Sequence, residues 1–198
     1  MRALATLLTS AAMVAAASLA VAQQASTPAQ PADQVAGLAE WQKVFEVFSH
    51  PRCANCHVET DRPVWSGPHY GGERVHALNV RRGEDGFGST GLKCSSCHSQ
   101  SNSSVLHGPP GAPNWHLAPV EMVWFDKSSA HICAQIKDPA RNGGKTLEQV
   151  AIHVRDDALV AWGWDPGPGR QPAPGSPEST YEALVRWTEL GAPCPSGE

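Results

Sequence analysis

The pattern C-x-x-C-H occurs twice in this chain, as "CANCH" at residues 53–57 and "CSSCH" at residues 94–98. Two thiols at that spacing with an imidazole directly after them form the attachment signature of c-type haem. The thiols make thioethers to the haem vinyls and the adjacent histidine ligates iron. A zinc ribbon also uses paired C-x-x-C, but at an interval of roughly 15 to 20 residues. Here 37 residues lie between Cys56 and Cys94, and zinc would leave both trailing histidines without a role. A thioredoxin-like redox pair needs a βαβ pattern that the flanks lack. The sequence therefore assigns Cys53, Cys56 and His57 to one covalent haem, and Cys94, Cys97 and His98 to a second.

The N-terminus sets the compartment. After Met1 and Arg2 comes an uncharged, alanine-rich run ending in Ala20-Val21-Ala22, a small-residue site of the kind signal peptidase cuts. A run of about 20 apolar residues can also anchor a chain in a bilayer, but the Thr and Ser within this one favour a cleaved signal over residues 1–22. Residues 23–36, rich in Gln, Ala and Pro, read as a flexible leader. Residues 37–198 then form one domain in a periplasmic or otherwise exported protein with no membrane span in its mature chain. Net charge is −4, or −5 without Arg2, and no basic stripe is present, which argues against a nucleic-acid partner.

Cys133 and Cys194 are the two cysteines left over, and in an oxidising space they are expected to pair as a disulfide. With 18 Gly and 17 Pro in the chain, long stretches must be loop. Helices are expected in four places. "GLAEWQKVFEVFSH" puts Leu38, Trp41, Phe45 and Phe48 on one stripe and ends before Pro51. "SSAHICAQIKDP" is capped by Ser128 or Ser129, with Ile132, Cys133 and Ile136 facing inward. "KTLEQVAIHVRDD" opens with Thr146 and Gln149 at capping-box spacing. "SPESTYEALVRWTELG" starts with Ser176 and Pro177 and stops at Gly191. No strand alternation is convincing, so the fold class is mostly α: a small, loop-rich, cytochrome c-like domain built around two haems. With 41 positions from Cys53 to Cys94, both haems share that domain.

The distal ligands are less determined. Met1 and Met13 leave with the signal, so Met122 is the one methionine of the mature chain. His50 is too close to Cys53 to reach the far face of its own haem. His69 and His107 sit among Gly and Pro as loop residues, and His131 lies near a helix start. His76, His116 and His153 remain as candidates beside Met122. The expectation is His76 on the first haem and Met122, with His116 close behind, on the second. A thioether raises a haem's potential relative to a second imidazole, so electrons would run from the first haem to the second. Trp115, Trp124, Trp162 and Trp164 are expected against porphyrin edges.

"HPRCANCH", "HALNVRRG", "GAPNWHLAP" followed by Met122, "KDPARNGG", "WGWDPG" and the closing "GAPCP" carry a resemblance that spans roughly residues 41–195. On these motifs the chain resembles a family of small exported dihaem c-type cytochromes, members of which are often labelled isoquinoline 1-oxidoreductase subunits. The resemblance implies a haem-carrying electron-transfer protein, in that family's context the cytochrome partner of a dehydrogenase. His76, His116, Met122 and His153 fall at its motif positions. The expected function is transfer of electrons from a dehydrogenase or quinol system to a downstream acceptor, through redox partner proteins. A peroxidase-like haem enzyme or a redox or gas sensor is the alternative, and either would need one iron with an open sixth position.

Overall fold

The computed structural model describes residues 31–67 and 72–197. The expected signal, residues 23–30 of the expected leader, and His69 lie outside the described residues. Six α-helices appear among those described: α1 (Pro31–Phe48), α2 (Pro51–Ala54), α3 (Ser129–Lys137), α4 (Leu147–Asp156), α5 (Ala158–Ala161) and α6 (Pro177–Glu189). Four strands of two residues each make two antiparallel ribbons. β1 (Val64–Trp65) pairs with β2 (Arg74–Val75), and β3 (Gly88–Ser89) pairs with β4 (Leu92–Lys93). No described helix is long and apolar enough to cross a membrane.

The helix starts follow local chemistry. Ser128 caps α3 by accepting from the His131 N–H. Thr146 and Gln149 form the reciprocal capping box of α4. Ser176 caps α6, Pro177 fills its first turn, and Gly191 beyond its end takes φ +85°. α1 differs from expectation, because residues 31–36 are helical rather than flexible leader. Pro31 is pre-set for a first turn and Asp33 complements the N-terminal dipole. The next turn docks closely: a Cβ on buried Gly37 would stand 2.5 Å from the Pro193 side chain. Composition alone underrates a helix that tertiary contact supports.

α6 packs against both α1 and α4, and α3 touches α1 and α4. This turns the buried face of α1 to Trp41, Val44, Val47 and Phe48, while Leu38 and Phe45 of the expected stripe are only half-buried. Trp41 and Trp187 meet at the centre with ring centroids 5.1 Å apart. Each indole N–H is satisfied, one by the Ser129 hydroxyl at 2.8 Å and the other by the Pro193 carbonyl at 2.8 Å. The Cys133–Cys194 disulfide forms as expected and ties the C-terminus to α3.

The stretch from residue 58 to 127 contains no α-helix among its described residues. Buried Arg82 holds it together. Its guanidinium donates to the carbonyls of Val58 at 2.7 Å and Thr60 at 3.1 Å, and also to that of Ala118. Val58, Val64 and Leu117 form a second, smaller apolar cluster beside it.

Candidate functional site

Both C-x-x-C-H motifs curl into a single helical turn. In the first, α2 carries Cys53, Cys56 N–H reaches the Cys53 carbonyl at 3.1 Å, and His57 N–H reaches Ala54 at 3.0 Å. In the second, Cys97 and His98 both donate to the Cys94 carbonyl, at 3.2 and 3.0 Å. Such a turn brings two thiols and the following imidazole to one wall. All four thiols are free, whereas Cys133 and Cys194 are oxidised.

Each turn faces its own cavity. The helical cavity, about 270 Å³, has Cys53, Cys56 and His57 on one side and Val47, Phe48, Ile136, Val150 and Val154 from the helices around it. The loop cavity, about 250 Å³, has Cys94, Cys97 and His98, with Trp65, Leu78, Val80 and Leu117 from the irregular segment. Five residues line both: Arg52, Cys56, Trp115, His116 and Trp162. The two cavities therefore share a wall.

The two motif histidines are held differently. His57 stacks on Trp124 at 3.5 Å between centroids, and Trp124 stacks in turn on Phe48 at 4.3 Å. Burial pushes the His57 imidazole down to about 3, so it is neutral. Its Nδ1 makes no hydrogen bond; the Met122 backbone beside it favours the charged form without reaching bonding geometry. His98 lies flat on Trp115, with centroids 4.5 Å apart and planes 3° from parallel, and its Nδ1 sits 2.8 Å from the Pro110 carbonyl. Burial lowers its basicity too, against the opposing effect of that carbonyl. Since a carbonyl only accepts, Nδ1 carries the proton and Nε2 keeps its lone pair.

The thiols are shifted in the opposite sense to a redox-active pair. Burial pushes Cys53 up to about 12 and Cys56 to about 11, and it raises Cys94 as well. Thiol–disulfide exchange needs the reverse, a depressed thiol in an electropositive setting.

The expected distal residues lie in the two cavities, but exchanged. His76 lines the loop cavity with His98, not the cavity of the first motif. Met122 lines the helical cavity with His57, not that of the second. The cause is a crossing of two segments. The β1–β2 ribbon, continued by a 2.9 Å bond from His76 N–H to the Pro63 carbonyl, folds the chain after the first motif towards the second. The loop at residues 119–127 returns to the first motif, where the Trp124 and Phe125 N–H groups donate to the His57 carbonyl at 2.9 and 3.1 Å. Buried Gln135 of α3 fixes that loop next to Met122, its amide oxygen accepting from Val123 N–H at 2.8 Å.

His116 lies in the shared wall, stacked on Phe87 at 4.6 Å. His153 lines the helical cavity, with Nδ1 3.5 Å from Asp157, and burial lowers its basicity. His50 has a local task, accepting the Arg52 N–H as the cap of α2, while His131 stands exposed beside Arg141. Of the four tryptophans, Trp115 and Trp162 line both cavities, and Trp124 and Trp164 line the helical one.

Three further side chains bear on the cavities. His107 is an exposed loop residue, as expected, and also lines the loop cavity. Buried Asn142 pins the turn between α3 and α4, donating to the Ile136 and Lys145 carbonyls at 2.8 Å each; the "RNGG" string was the available signal. Arg52 lies between the cavities, its guanidinium 5.8 Å over the Trp162 ring and its Nε buried with no hydrogen-bond partner. Its position directly before Cys53 was the signal.

Among the described residues, no three His, Cys, Asp or Glu side chains gather as an ion held by protein alone would require. A haem brings its own four equatorial nitrogens and asks the chain for two thiols, one or two axial donors and apolar walls. Each cavity offers that set, and the unpaired Arg52 nitrogen suits an anionic edge, so the residues fit the group. No family model, curated protein or solved structure matches this chain.

Proposed function

We propose that this chain is an exported dihaem c-type cytochrome that carries electrons between a dehydrogenase or quinol system and a downstream acceptor. One observation carries the reading: two C-x-x-C-H turns open on two separate apolar cavities that share Arg52, Cys56, Trp115, His116 and Trp162. Cys53 and Cys56 would attach one haem, with His57 on its iron; Cys94, Cys97 and His98 would hold the other. When bound, the two groups supply one-electron redox chemistry. The chain's own contribution is to orient the imidazoles by stacking, to keep them neutral by burial, and to exclude water with Trp115, Trp124 and Trp162. The disulfide is compatible with an exported location. Expression with cytochrome c maturation machinery should give an intact mass two haems above the mature chain. A bare mass, or zinc in place of haem, rejects the reading.

A second donor besides the motif histidine lines each cavity, which favours a carrier over an enzyme or sensor with an open iron. Met122, the one methionine of the mature chain, serves the helical cavity in this reading. That makes the helical centre the higher-potential one and runs electrons from the loop centre to it, opposite to the direction expected from sequence order. Met122→Ala should abolish the near-infrared band of Met-ligated ferric haem and lower only the higher potential. His153 is the competing donor, favoured by its contact with Asp157, because metal-bound histidines commonly pair their other nitrogen with a carboxylate. If Met122→Ala changes nothing and His153→Ala does, His153 holds that iron.

A further inference from the structure

We propose that His76 and His98 form a trans pair of iron ligands in the loop cavity, making that centre a bis-imidazole haem. This inference deepens the dihaem reading above and rests on it. Both side chains line the same cavity, and their ring centroids are 6.1 Å apart. Two imidazole–metal bonds of about 2 Å each, plus roughly 1 Å from each ring centre to its nitrogen, put the centres of two trans ligands roughly 6 Å apart. The observed separation of the ring centres, with the planes 61° apart, is that of two imidazoles on opposite sides of one ion.

The tautomers agree with the spacing. Nδ1 of His98 is 2.8 Å from the Pro110 carbonyl, and Nδ1 of His76 is 2.9 Å from the Ala77 carbonyl. Each carbonyl accepts a hydrogen bond from Nδ1–H, so the proton stays on Nδ1 and Nε2 keeps the free lone pair, the arrangement of metal-bound histidines whose second nitrogen is fixed by an outer partner. His76 is also held by its surroundings. Its ring meets Trp65 edge-on at 5.2 Å, and its backbone N–H is bonded to Pro63 at the end of the β1–β2 ribbon. Just after it, Leu78 and Asn79 adopt φ +60° and +54°, an uncommon backbone state for such residues that reverses the chain beside the cavity.

Two other imidazoles line this cavity. The ring of His107 lies against Gly169, where an added Cβ would approach its Cε1 to 2.6 Å. His116 is stacked on Phe87.

The test uses the full haem-loaded chain. His76→Gly should add one high-spin ferric iron per chain in electron paramagnetic resonance, and free imidazole should return it to low spin. Should the glycine variant not accumulate, His76→Met should replace a bis-imidazole spectrum by that of a thioether-ligated haem. Reciprocal chains show which iron responds. With Cys53 and Cys56 changed to Ser, the remaining haem should still respond to His76→Gly; with Cys94 and Cys97 changed to Ser, it should not. A dihaem chain whose spin state ignores His76→Gly overturns the pairing and leaves the dihaem reading standing. So does a response that follows the Cys53–Cys56 haem, or one produced instead by His107→Gly. A wild-type chain without covalent haem overturns both.

Discussion

The two cavities receive the same five-residue motif and differ in what surrounds it. The helical cavity is walled by α1, α3 and α4, themselves locked by the Trp41–Trp187 contact and the Cys133–Cys194 disulfide. Its imidazole is held by a three-ring stack and has no hydrogen bond at Nδ1. The loop cavity is walled by ribbons and turns, with Cys97 exposed and Leu78 at 74% exposure, and its imidazole is oriented by a hydrogen bond to Pro110. One motif can thus be positioned by packing and the other by polar contacts. Packing resists change cooperatively, whereas a hydrogen-bonded loop opens locally at lower cost.

The largest expected effect lies in the helical half. Replacing Cys133 and Cys194 by Ala removes the cross-link between α3 and the C-terminus and should lower stability by about 4 kcal/mol. On the proposed dihaem reading, thermal unfolding followed by the absorption of each centre should show the helical centre changing earlier, with little change at the loop centre before global unfolding. Equal sensitivity of both centres would mean that the disulfide supports the whole domain, and the contrast would fail.

Next comes a matched pair of substitutions. Trp124→Ala removes the middle ring of the His57 stack and should cost about 3 kcal/mol, whereas Trp115→Ala should cost roughly half as much, because His98 keeps its bond to Pro110. Denaturant unfolding gives both values. A reversed order would show that the loop imidazole depends on stacking after all.

The smallest effect is in pH. With His57 held to about 3 in the folded apoprotein against an ordinary 6.5, the unfolded chain takes up its proton first as pH falls. Stability from this group is complete above pH 6.5 and is lost between 6.5 and 3, by roughly 2 kcal/mol once its partial contact with the open cavity is discounted. Apoprotein unfolding measured from pH 7 to 4 should show that fall. On the proposed reading the haem-loaded chain should not, because an imidazole that coordinates iron stays neutral.

Much of this was legible because it depends on neighbours in sequence. The caps at Ser128, Thr146 and Ser176 bond to atoms three residues ahead, and the inward face of α3 follows from its period. The disulfide was legible by elimination. The start of α1 was not, since residues 31–36 extend a helix whose Gly37 lies against Leu190 and Pro193, more than 150 residues away.

The sequence by itself determined that two turns each present two thiols and an imidazole, because a C-x-x-C-H turn is built from hydrogen bonds within five residues. It also named His76, His116, Met122 and His153 as candidate second donors. Only the tertiary structure decided which cavity each of them lines. His76 crosses to the second motif on the β1–β2 ribbon, and Met122 is carried back to the first by the bonds from Trp124, Phe125 and Gln135. Those bonds join residues far apart in the chain, and order along the chain does not encode which way a loop returns.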